Sequence, residues 1–93
     1  MGELYKEVWR LLDEDALYPD WDHILAEHPY VTEDQIASCL LEGRYEPHDS
    51  IEDRFVAKYV SRQTGVLFIA LFEVQEVERK RYVWVVTAFS PRG

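Results

Sequence analysis

Cysteine is nearly missing from these 93 residues: Cys39 stands alone. That excludes an internal disulfide and a cysteine-rich zinc site, and it fits a reducing compartment. No uninterrupted apolar stretch reaches the length of a bilayer span, and no basic segment followed by an apolar run opens the chain. The expectation is a soluble, cytoplasmic protein with no membrane partner. Repeats, low-complexity tracts and interdomain linkers are also lacking, so residues 1–93 read as one domain, a helical half at 1–43 and an antiparallel sheet at 44–91.

Basic side chains are scarce where acid is plentiful. Residues 1–43 hold Lys6 and Arg10 against eleven acidic residues, a charge of −9, while residues 44–93 hold eight basic and seven acidic, +1; the total is −8. Nonspecific nucleic-acid binding draws on phosphate neutralisation, so the helical half repels a polyanion and RNA would have to approach the sheet. No DNA partner is expected. The acidic half could instead face a basic partner, and its first reading is a solvated face that keeps the protein soluble.

A hydrophobic share of 47% and an aromatic share of 14% supply core material, and a chain of this length buries roughly 60–70% of its unfolded surface. Three apolar runs organise it: Phe55–Val60, Val66–Phe72 and Tyr82–Val86. Their β-branched and aromatic content predicts strands at about 53–61, 66–75 and 81–89, with a short edge strand at Arg44-Tyr45-Glu46. The last two runs are apolar on both parities, a pattern of strands that are central or covered on both faces.

Apolar spacing at Leu4, Val8, Leu11 and Leu12 predicts a first helix over 3–15, stopped by Tyr18-Pro19. Asp20 caps a second helix to about residue 28, with Trp21, Ile24 and Leu25 inward. Thr32 and Gln35 form a capping box, and Val31 and Ile36 a hydrophobic staple, for a third helix over 33–42 that Gly43 ends in a left-handed conformation. The fold class expected is α+β, with N-terminal helices on one face of a three- to four-stranded antiparallel sheet.

Chemistry-bearing residues are few. His23 and His28 lie out of line on a helix and His48 in a separate loop, so no metal and no cofactor is expected. Cys39 falls on an apolar helix face, remote from an activating helix N-terminus. Trp9, Trp21 and Trp84 sit at core-periodic positions, which leaves Tyr45, Tyr59 and Tyr82 as candidates for exposed hydroxyls. The cations Arg44, Arg54, Lys58 and Arg62 lie on or before the second strand, and Arg79, Lys80 and Arg81 enter the fourth. Arg54, Lys58 and Arg62 share a parity and hence a face. Such groups can hold a scissile phosphate in a metal-free RNA-cleaving site while His28 or His48 moves protons. Alternatively, they block sheet-to-sheet association.

Trp21-Asp22, Glu27-His28, Val31 to Ile36, Glu52-Asp53-Arg54-Phe55 and Arg81 to Ala88 together resemble BrnT-type toxins. In that family a Trp-Asp pair, a Lys-His pair, a Val-Ser-Phe-Glu-Glu helix start, a Glu-Arg-Phe strand start and an Arg-x-Ile-Ile-Ser-Ala strand follow in this order. The tail from Val86 to Pro91 is similar to the Thr-x-Tyr-x-Pro ending of related small bacterial domains. The resemblance implies a RelE-like fold and a toxin-type endoribonuclease neutralised by a cognate antitoxin. It also implies catalytic roles for His28, Arg54 and Arg81, to which Lys58, Arg62 and Arg44 add phosphate-binding charge. Glu27 replaces the family's lysine, and Phe89-Ser90 its arginines. The rival class is a noncatalytic module that binds another protein through its acidic helices or an exposed sheet edge.

Overall fold

The computed structural model describes residues 2–91. Its elements run α1 (Gly2–Asp13), β1 (Leu17–Pro19), α2 (Trp21–Glu27), α3 (Glu33–Glu42), β2 (Arg44–Pro47), β3 (Phe55–Val60), β4 (Leu67–Val77) and β5 (Lys80–Phe89). The class is α+β as expected, but the sheet has five strands in the order β1-β5-β4-β3-β2 and is mixed. The added strand is β1, which lies parallel to β5 with Tyr18 beside Trp84. Three residues ending in proline carry no period-2 signal, and Tyr18-Pro19 reads only as a helix stop. In the fold Ala16 accepts from the Val83 amide at 2.8 Å and Asp20 donates to Val85 at 2.9 Å, tying this edge down.

Helix α1 ends two residues earlier than its apolar period suggests, because Asp15 turns left-handed at φ 64° and the Ala16 amide bonds back to Leu11. At α2, Asp20 caps the His23 amide at 3.3 Å. The capping box of α3 forms in full, with the Thr32 hydroxyl on the Gln35 amide and the Gln35 side chain on the Thr32 amide. Gly43 departs from expectation: it is extended (φ −79°, ψ 171°). It is glycine for space, since a Cβ would lie 2.3 Å from the Cys39 carbonyl oxygen and 2.8 Å from that of Lys58.

All three helices pack on one face of the sheet. Their seat is a row of small residues: Ala57, Ala70 and Ala88 are register neighbours on β3, β4 and β5, all fully buried. Cys39 sits against this row, its Sγ 3.4 Å from the Ala57 carbonyl oxygen. Tyr45 is buried too, contrary to its nomination as an exposed hydroxyl. It stacks on Tyr5 at 4.0 Å, meets Phe72 edge-on and donates its hydroxyl to Leu40. Trp9 and Leu25, expected inward, are 44% and 43% exposed. The Trp9 indole lies across the helix layer and donates to the Leu40 carbonyl at 3.3 Å.

The register of β4 on β5 slips between Leu71 and Phe72, leaving Val86 as an extra residue. This bulge lets Val83 and Val85 face the helices before it and Ala88 after it, and so accounts for part of the mixed parity of β5. The other part has a different origin: no element among the described residues covers the far side of the sheet. Tyr18 lies exposed on that open face beside a half-buried Trp84, and Val60 and Leu67 lie exposed at its other end, six residues along β4 from the partner of Trp84. No helix of the described residues is long and apolar enough to cross a membrane.

Candidate functional site

Of the six nominated residues, Arg44, Arg54 and Lys58 share the open face of the sheet, Arg44 beside Lys58 in the register, whereas His28, Arg81 and Arg62 lie elsewhere. His28 follows α2 as its C-cap, its ring stacked on Phe89 at 5.3 Å and edge-on to Tyr30, with the Glu27 carboxylate 3.9 Å from Nε2. Arg81 opens β5 at the other end, eight residues from Phe89. At the usual rise per residue of a strand, that places Arg81 ~26 Å from Phe89, against which His28 stacks. The parity of Arg81 is that of Val83 and Val85, so it reaches the helix side and pairs with Glu7 of α1 at 2.9 Å.

Arg54 lies on the open face. Its Nε and terminal nitrogen reach one carboxylate oxygen of Glu73 at 2.8 and 2.7 Å, and the Gln75 amide donates to the other oxygen. The Arg54 and Glu73 side chains are only 18% and 13% exposed, so the pair is shielded and its charges are spent on each other. Lys58 pairs with Glu46 at 2.9 Å on the same face. That hydrogen bond and charge hold the Glu46 carboxyl below its ordinary range, with a smaller contribution from Arg44. Arg62 lies beyond the end of β3, exposed in the hairpin, and does not continue the face of Arg54 and Lys58.

Two clefts remain. One of about 980 Å³ lies between the end of α1 and the β4–β5 turn, where Arg10, Arg79, Lys80 and Arg81 meet the carboxylates of Glu14, Asp15 and Glu78. The other, about 720 Å³, is lined by Tyr30, Ser38, Tyr59, Arg62 and Ser90. Arg81 therefore belongs to the first cleft, Arg62 to the second, and Arg54 and Lys58 to neither. His28 lines neither cleft, so the nominated proton-transfer residue does not share a cavity with Arg54 or Arg81.

Sequence reasoning missed the carboxylates that neutralise these cations. Glu73 and Glu46 were visible as residues, but their pairing depends on strand register. Glu73 shares the parity of Leu71 and Gln75, a hint that it belongs to the face opposite the buried Phe72. No protein-family model matches this chain, and no characterised protein or solved structure matches it either.

Proposed function

We propose that this protein is a noncatalytic interaction module that docks another polypeptide on the open face of its sheet. The observation that carries the reading is the combination on that face of exposed apolar side chains with charges already satisfied, above all Arg54 held by Glu73. Apolar burial drives docking on such a surface, and the charges it covers keep their partners, so none is left buried unpaired. The short edge strands support docking on the face rather than by strand addition, since β1 and β2 have three and four residues and end in proline.

The rival is the RelE-like, BrnT-type ribonuclease with a cognate antitoxin, which the sequence motifs imply. It needs Arg54 to leave Glu73 and meet His28 and Arg81 around one phosphate. Expression of the wild type and of Arg54→Ala in a bacterial host, with purified protein incubated on RNA, separates the two. Under the interaction reading neither form arrests growth or cleaves RNA. Arg54→Ala lowers stability by about 1–3 kcal/mol, because Glu73 loses its partner in a shielded site. RNA cleavage by the wild type that vanishes in Arg54→Ala would sink the interaction reading.

A further inference from the structure

We infer that the open face docks a second copy of this chain, sheet to sheet, in a two-fold dimer; the inference rests on reading that face as a docking surface. The argument begins with charge. By parity the face carries Arg44, Glu46, Arg54, Lys58, Glu73 and Lys80. Two ion pairs cancel four of these, at 2.7 Å for Arg54–Glu73 and 2.9 Å for Lys58–Glu46. The remaining Arg44 and Lys80 stand at opposite corners of the sheet, where a dimer's rim keeps them in water. A nucleic acid finds few free cations here, and a basic protein is drawn to the helical half at −9.

The same charge segregation selects the geometry. Two copies of a chain at −8 repel wherever their helical halves meet. Sheets stacked face to face sit about 10 Å apart, with a further helix layer of about 10 Å outside each. The acidic outer surfaces are then about 30 Å apart, well beyond the ~8 Å screening length at physiological salt. This is the arrangement of two copies that keeps the acid farthest from acid.

Size agrees. The 34 strand residues, at about 16 Å² of sheet plane each, project roughly 540 Å². Two such faces bury about 1,100 Å² in all, the size of a weak, dissociable interface. Trp84, between Tyr18 and Glu73 in the register, is the aromatic anchor, and the exposed Val60 and Leu67 extend the apolar area.

Sedimentation equilibrium of the full chain at about 5–500 µM, the range in which interfaces of this size dissociate, tests the proposal. The expected result is a single monomer–dimer equilibrium. Leu71→Lys at the centre of the face, and Val60→Lys at an already exposed position, each weaken it about tenfold or more by setting like charges across the interface. Val60→Lys leaves the core untouched, so a loss of dimer there is not a loss of fold. Leu25→Lys, on the exposed side of α2, leaves the equilibrium unchanged. A monomer at every concentration, assemblies that grow past two copies, or a dimer indifferent to both sheet substitutions overturns the inference. Arg54-dependent RNA cleavage is a different failure, since it removes the interaction reading itself.

Discussion

Cys39 illustrates how a single side chain is tuned by where the backbone puts it. It is fully buried, with its Sγ 3.4 and 3.7 Å from the carbonyl oxygens of Ala57 and Phe68. Burial pushes its thiol up to about 12, because a thiolate in this apolar seat would lose its hydration, and a hydrogen bond with the Ala70 backbone offsets only part of that. The folded-state value lies above the ordinary 9.0, so the contribution to stability is complete below about pH 9 and is lost as pH rises toward 12. Urea unfolding between these limits should therefore show a steeper alkaline decline for the wild type than for Cys39→Ala. The variant keeps the slope due to Tyr45, whose hydroxyl burial also pushes upward. Parallel declines in the two proteins would contradict this account. The Cys39 environment was legible in the sequence as an apolar helix position. The Arg54–Glu73 contact was not, because it joins residues nineteen apart whose facing depends on the register of two long strands.

Among the elements, the β4–β5 hairpin has the least expected turn. Glu78 and Arg79 both take positive φ, 52° and 68°, in a two-residue connection that ordinarily selects Asn-Gly. Left-handed backbone costs such side chains about 1 kcal/mol each or a little more. Replacing both, as Glu78→Asn with Arg79→Gly, should raise stability by about 1–2 kcal/mol, or several degrees in Tm for a domain of this size. An unchanged melting curve would mean that the native charges at the turn repay the strain. Between the strands expected at 66–75 and 81–89, nothing in Glu78-Arg79 marks a tight turn. Helix α3 is the opposite case: capping box, staple residues and length can all be read locally, because each depends on residues within one turn. Strand β1 escapes such reading for the same physical reason. Its only support is β5, more than sixty residues away.

At the scale of the whole molecule, acid is concentrated in the helical half and apolar surface on the uncovered side of the sheet. Self-repulsion within a half at −9 is long-ranged and screened by salt. Thermal unfolding in about 0.5 M sodium chloride should therefore lie a few degrees above that in about 0.02 M, a gain of roughly 1 kcal/mol. A Tm that falls with salt would show that ion pairs such as Arg81–Glu7 and Lys58–Glu46 outweigh the repulsion. The apolar runs of both parities announced a sheet that wants cover on two sides, and the helical half was readable as one cover. The sequence pattern does not say whether the second cover lies within the chain, because periodicity records which residues avoid water and not what hides them. The parallel pairing of Leu17–Pro19 with Val83–Val85 has a temporal meaning as well. During synthesis Leu17–Pro19 has no strand to join until Val83–Val85 exists, so this edge of the ladder cannot form before β5 is made.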